Sequence, residues 1–514
     1  MKLSLPAASG LAALKMPAFL RIKLSGVLWF FGILLTGMVS GALTAVGGTK
    51  AVAVIAGAVL GGLALAFLSL DRIFICQVVL IYLVVGQMQY FAHISKAFWI
   101  PYLLGAALLI TLPMTLMGRK QNTKNRTILS YEAALVLFLA LLISATLFAR
   151  PGLLLVMLSV RDYLFLWGFY ILIATGLISL PAVDKFWQWL PWLVPVQFPV
   201  VMYQRFVVAK NRVAQHIQGA SFDAVVGLFG GDPEAGGASG AMGIFIVFAI
   251  LLVISQWRAG LTSTGRLVLV AMTGLVSIGL AEVKFAIVML PIGIAILYRN
   301  DLLRRPARAL FMLLFSVGGA FAILVAYQMQ FSHTQEGEDK SMGVYLENTI
   351  SRQADMQSIG PTGEMGRGTA LRFWWLKHGA DEPVHFFLGH GVGATFVGST
   401  VIGDATRKYP FKLRRSTMSC LLWESGLLGT IVLCLVLGLA SESAWRAATA
   451  VEKASLRHAS ILRAISAGLL LILFELPYNT DLIEIPSIQF LTIVMLAYVT
   501  ALSRSETGIQ RITE

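Results

Sequence analysis

Residues 241–257, "AMGIFIVFAILLVISQW", run without a single charged side chain, and stretches of this kind recur along the whole chain. A bilayer core of about 30 Å is crossed by about 20 apolar residues in a helix, because a helix satisfies its own backbone where no water can. Applied to the sequence, that ruler places spans near 27–46, 51–70, 73–92, 98–117, 131–149, 162–181, 186–206, 241–257, 266–281, 284–298, 308–328, 418–440, 460–477 and 485–503. With 57% hydrophobic residues, 13% charged residues and a mean hydropathy of +0.78, the composition excludes the soluble globular classes. The expectation is an all-α polytopic membrane protein of about 14 transmembrane helices. The seventh span, "FWQWLPWLVPVQFPVVMYQRF", holds three prolines and is expected to be kinked.

Charge sets the orientation. With the N-terminus inside, the inner loops and both termini hold 22 of the 40 Lys and Arg, and the short outer loops hold five: Lys50, Lys96, Arg150, Arg161 and Lys284. The other 13 lie in or beside two long outer loops, where the positive-inside tendency does not apply strictly. Both termini are therefore expected in the cytoplasm. The +14 net charge then follows from topology and implies no nucleic-acid partner. Cys76 and Cys434 lie in apolar runs and Cys420 at the edge of one, so no disulfide framework is expected.

The resulting organisation is a cytoplasmic or interfacial N-terminus (1–26), N-terminal helices (27–206), a first outer loop (207–240), central helices (241–328), a large outer loop (329–416), C-terminal helices (417–503) and a cytoplasmic tail (504–514). Loops as long as the large one usually have a role.

Two charges interrupt the central helices. "LVSIGLAEVKFAIVML" (275–290) carries Glu282 and Lys284, each costing roughly 3 kcal/mol if placed at the bilayer centre. Arg266 and Arg299 mark the inner ends of this hairpin, whose arms of about 16 residues reach near 24 Å at about 1.5 Å per residue. The "AEVK" turn should then lie below the outer surface, in a vestibule. Residues two apart on a helix point away from each other, so Glu282 and Lys284 are expected to find separate partners. Around them the outer loops concentrate arginine: Arg205 and Arg212 (with Lys210) beside the first, and Arg367, Arg372, Arg414 and Arg415 in the second. The planar guanidinium fork suits phosphate oxygens, which points to a phosphorylated ligand at the outer leaflet. An ordinary solvated loop is the alternative, since nine acids share the large loop.

At these residues the chain resembles the O-antigen polymerase/ligase family (Wzy/WaaL type) of bacterial polysaccharide assembly. The resemblance rests on "RFWWLKHGADEPVHFFLGHGVGA", with Arg372, Trp374, Pro383, Gly389, Gly391 and Gly393, followed by "ESGLLG" (424–429) in the next helix. Lys284 stands where the family often has the Arg of an "SR" pair, and "FDAVVGLFGGDPEAGGASG" resembles the Gly-rich stretch after the family's earlier loop. The match covers roughly residues 200–430. It departs from the family at Arg415, which falls at the usual loop histidine, and at Lys284, a point charge in place of a fork. These departures fit a divergent polymerase better than a ligase.

The resemblance implies a GT-C-like fold in the bacterial inner membrane with its active site facing the periplasm. It also implies metal-independent, inverting transfer of a glycan from undecaprenyl diphosphate to a sugar hydroxyl on another lipid-linked repeat unit. No metal ligands and no cofactor are expected. Lys284, Arg205, Arg212, Arg367, Arg372, Arg414 and Arg415 are the candidates for holding the diphosphate. Glu282 and then Asp223 are the candidate proton acceptors, ahead of His378 and His390. Membrane lipid and the lipid-linked oligosaccharide are the expected partners, with a chain-length-regulating or export protein as a further one. O-antigen ligation to lipid A-core and polysaccharide or lipid transport (a flippase) stay open as alternatives. Transport leaves the large Arg- and Trp-rich loop without a purpose. A metal-using polyprenyl-monophosphate transferase would resemble a pattern with acids in the first outer loop, and here that loop is "VGGTK".

Overall fold

The computed structural model describes residues 68–117, 128–211, 224–232, 236–300, 307, 310, 314, 318, 365–379, 382–398, 401–409 and 411–513. The expected spans at 27–46, nearly all of 51–70 and most of 308–328 lie outside the described residues, as do Asp223 and Arg212. The chain divides into two compact units, Met1–Leu68 and Ser69–Glu514, and every element below belongs to the second.

Among the described residues the fold is helical apart from one small antiparallel hairpin, Gly231–Asp232 with Gly236–Gly237. Eight of the described helices are long and apolar enough to cross a membrane: α1 (Leu70–Tyr90), α2 (Ser95–Pro113), α3 (Ser130–Ala149), α4 (Leu153–Ala174), and four that follow the proline-rich segment. That segment forms α5 (Leu180–Trp189) and α6 (Leu193–Tyr203), joined by a tightened turn at Leu190–Trp192 that absorbs Pro191, and continues as a wide-turned stretch, Gln204–Ala209. Then come α7 (Ser239–Arg258) and the shorter apolar pair α8 (Thr264–Leu280) and α9 (Lys284–Leu297). The large loop contributes α10 (Arg367–His378), α11 (Pro383–Leu388) and α12 (Asp404–Lys408). The chain ends with α13 (Thr417–Val451), α14 (Leu456–Glu475), a turn of helix α15 (Asp481–Glu484) and α16 (Pro486–Thr513).

Local chemistry sets the boundaries. Ser263, Ser416 and Ser455 sit just before α8, α13 and α14 and accept from backbone N–H groups of the first turn, as good N-caps do. Arg150 closes α3 in the left-handed conformation. The core is built on α7, which packs on α8, α9 and α14, while α13 packs on α14 and α3. Phe245, Phe248 and Leu251 of α7 are fully enclosed. By contrast Val136, Ile143 and Leu147 of α3 and Met157 of α4 are more than half exposed. Apolar side chains that fill the interior and also cover the outside of the same bundle are what a lipid solvent permits.

Two polar ends bracket this apolar body. At one end Asp184 joins Tyr498 (2.8 Å) and His458 (3.2 Å), and Arg504 joins Glu132 (2.8 Å). The other end holds the α8–α9 turn, the loop helices and the α14–α16 connection. There Gly243 of α7 lets the hairpin press close: a Cβ on it would meet Val283 Cγ1 at 2.8 Å and Ala286 Cβ at 2.9 Å.

Candidate functional site

The α8–α9 turn is the first component. Helix α8 stops at Leu280, Glu282 takes a left-handed φ of +54°, and the Lys284 N–H donates to the Glu282 carbonyl (2.9 Å) as α9 begins. Lys284 thus occupies the first position of a helix, where the unsatisfied N–H groups already carry positive charge. A cation there opposes the helix dipole, whereas an anion would be welcome beside both. The Glu282 carboxylate turns to Arg205, 3.5 Å away, with both side chains nearly enclosed. Glu282 thus has Arg205 as one partner from outside the turn.

Arg205 is placed by its neighbour. Gln204, fully buried, accepts from the backbone N–H groups of Val226 (2.9 Å) and Gly227 (2.7 Å) and donates to the Gly227 carbonyl (3.1 Å). This clip fastens the "AVVGLFGG" stretch (224–231) to the end of the proline-rich helix beside Arg205.

The second component is the α14–α16 connection. Tyr478 stacks on Phe285, the residue after Lys284, with ring centroids 4.1 Å apart and planes within 9°. The Arg367 guanidinium lies 4.1 Å from the centre of the Tyr478 ring, and its Nε donates to the Tyr478 carbonyl. Stacking of this kind suits arginine far better than lysine. Burial works against the charge on Arg367, Tyr478 supports it, the nearby Arg415 charge opposes it and Asp481 supports it. The start of α13 is tied to the same turn: the Thr417 N–H donates to the Asn479 carbonyl (2.7 Å) and Met418 N–H to Leu476 (2.8 Å), two residues beyond Arg415. Five segments distant in sequence therefore bring Arg205, Lys284, Arg367 and Arg415 to one end of the bundle.

Buried acids underlie this end. Asn479 donates to Glu475 (3.4 Å) and to Asp481 (3.2 Å), and the start of α7 at Gly240 lies against both Asn479 and Asp481. Burial pushes the Asp481 carboxyl up to about 6, and Glu484 adds to the rise while Glu475, Asn479 and Arg367 oppose it. The folded form thus holds a proton that the unfolded chain, near 3.9, releases. Stability from this group is complete below the unfolded value and is lost as pH rises through about 6. Asp481→Asn is accordingly expected to raise the melting temperature at pH 7.5 and to change it much less at pH 4.5, as thermal unfolding in detergent would show. An Asp481→Asn protein that melts lower at pH 7.5 would sink this account of the group.

The other candidates are placed as follows. Arg372 is exposed on α10, and Lys210 is exposed after the proline-rich helix. Arg414 is enclosed by carboxylates: Asp162 at 3.2 Å, Glu484 at 3.3 Å and Glu424 at 3.6 Å. Glu424 of "ESGLLG" also accepts from Tyr163 (2.9 Å) and Thr395 (2.5 Å). Its backbone carbonyl takes the Gly391 N–H (3.0 Å), and that of Trp423 takes the His390 N–H (2.8 Å). Gly389, Gly391 and Gly393 are all left-handed, and α13 breaks at Gly426 (φ +67°) where the carbonyl of Phe387 presses in. The two motifs of the resemblance thus form one joint between loop and helix.

His378 and His390 meet across 2.7 Å in the loop. Burial and the neighbouring His385 and His378 push His390 down to about 3, and burial also lowers His378. An imidazole held as low as that of His390 is a weak base at neutral pH. With Glu382 they are the group among the described residues able to converge on a metal ion.

No family model and no curated protein matches the chain. Sequence reasoning does not single out Tyr478, Asn479, Asp481, Glu475 or Gln204, whereas Glu424 belongs to the "ESGLLG" motif. The signal for most of them is present in "ELPYNTDLIE" (475–484), a short connection with three acids between two apolar runs.

Proposed function

We propose that the chain is a polysaccharide polymerase that joins undecaprenyl-diphosphate-linked oligosaccharide repeat units at the periplasmic face of the bacterial inner membrane. The observation that carries this reading is the gathering of Lys284, Arg205, Arg367 and Arg415 around Phe285 and Tyr478 at one end of an apolar bundle. Cations at a membrane-embedded end fit a lipid-linked anion, and the aromatic faces fit sugar rings. In the full topology fourteen spans place both termini in the cytoplasm, in a GT-C-like arrangement with the large loop over the site.

In the transfer step a sugar hydroxyl oxygen of the acceptor unit attacks the anomeric carbon of the donor glycan and inverts it. The bond from that carbon to the diphosphate oxygen breaks, and its electron pair leaves with undecaprenyl diphosphate. Lys284, Arg367 and Arg415 take up the charge that develops there, and stabilisation of this kind is usually the largest catalytic contribution. The hydroxyl proton passes to Glu282, which Arg205 holds in place, and then to water. Arg372 is a peripheral contact in this scheme and Arg414 a framework residue. Asp223 stands second to Glu282 as proton acceptor, and Arg212 is a further contact to the donor. The test is formation of a ladder of repeat units from the lipid-linked oligosaccharide by the purified protein.

A further inference from the structure

We propose that His378, His390 and Glu382 form a binding site for one divalent ion of the zinc class, which fastens the end of α10 to the Gly-rich turn. Hydrogen bonding fixes the tautomer of the first ligand. His378 Nδ1 lies 3.1 Å from the Trp374 carbonyl one helical turn back, so that nitrogen carries the proton and Nε2 is left with its lone pair. That lone pair faces His390 Nε2 at 2.7 Å. A backbone carbonyl that fixes the far nitrogen is the usual outer support of a metal-bound imidazole.

The third ligand comes from local chain geometry. Glu382 follows His378 by four residues, and its N–H donates to the His378 carbonyl (3.0 Å), which keeps the two residues side by side beyond the end of α10. One carboxylate oxygen and the two imidazole nitrogens all lie within 4.8 Å of one another. His385 Nδ1 stands 3.4 Å from the Glu382 carboxylate and stacks on His390 (centroids 4.2 Å, 12°), holding both ligands in place. His390 is further fixed by its N–H to the Trp423 carbonyl and by stacking on the Trp423 ring. His378 is enclosed while Glu382 and His390 are partly open, which provides a route of entry.

Two imidazoles and a carboxylate favour zinc and its neighbours over magnesium or calcium, which take oxygen ligands. Tetrahedral zinc bonds to nitrogen at about 2.0–2.1 Å, so the two nitrogens would part to roughly 3.3 Å on binding. Arg367 begins α10 and His378 ends it, about 16 Å apart at 1.5 Å per residue, so the ion serves the loop's architecture and is separate from the transfer step.

The test uses the full chain in detergent with any affinity tag removed, stripped with EDTA, desalted, and incubated with zinc. After gel filtration, elemental analysis is expected to find about one zinc per chain. In His378→Gln/His390→Gln that zinc should fall at least tenfold, while His458→Gln, at the opposite end of the bundle, should keep it. Cobalt in place of zinc should give the visible absorption of a four-coordinate site, and Glu382→Gln should shift it. Zinc retained equally by the double variant, or none retained by the wild type, overturns the site. If the double variant fails to fold, an unshifted cobalt spectrum in Glu382→Gln overturns it instead.

Discussion

Arg414→Ala is expected to cost about 3–5 kcal/mol of stability, the usual penalty for removing one partner of a buried ion cluster. The Asp162 and Glu424 side chains around it are fully enclosed and that of Glu484 is about one-third exposed. Arg161 stays beside Asp162 (2.6 Å), and Tyr163 and Thr395 stay on Glu424, but none of these replaces a guanidinium that reaches three carboxylates. The cluster also joins α4, the end of the large loop, α13 and α15, so its loss should loosen all four together. Arg414→Lys should fall between, since a point charge cannot fork. Melting temperature and the yield of monodisperse protein measure the effect, and an unchanged melting temperature for Arg414→Ala would show that the cluster does not hold the loop.

Lys284→Ala is expected to lower the transfer rate by roughly 10²–10³, the scale for removing one charge-stabilising group from a transition state. Stability should hardly change. Alanine is a better helix former, and removing a cation from a helix N-terminus relieves an unfavourable dipole interaction of about 0.3–1 kcal/mol. A residue that local physics disfavours and chemistry requires should show this separation of activity from folding. Lys284→Arg should retain part of the rate, because it keeps the charge while changing its shape. Comparable losses of rate and melting temperature in Lys284→Ala would instead mark Lys284 as structural.

The α8–α9 hairpin was legible in the sequence because its two apolar runs flank a charged turn, and span length alone fixes such a feature. The fourth helix was less so. It was expected to begin at 162, with Arg161 outside it, yet α4 begins at Leu153 and encloses both Arg161 and Asp162. Hydropathy treats a charge as a boundary, whereas here Arg161 lies over Trp99 (4.6 Å) and Phe98 (4.8 Å) and Asp162 is paired. The proline-rich seventh span persists as helix because its irregular turns spread the missing hydrogen bonds. At the site, the cations were visible as unusual charges in outer loops. Their supports were not: Tyr478 meets Phe285 and Arg367 across gaps of 193 and 111 residues, and no local pattern encodes such pairings.

In the proposed function, the cation cluster beside Tyr478 drives polymerisation of lipid-linked repeat units. It is tested most directly in liposomes containing the purified protein and an undecaprenyl-diphosphate oligosaccharide from the native host, with magnesium and manganese omitted. Products are resolved on a gel for the wild type and for Lys284→Ala. A ladder of repeat units is expected from the wild type and, at equal folded protein, none from Lys284→Ala over the same time. No ladder from a competent substrate, or an undiminished one from Lys284→Ala, would contradict it.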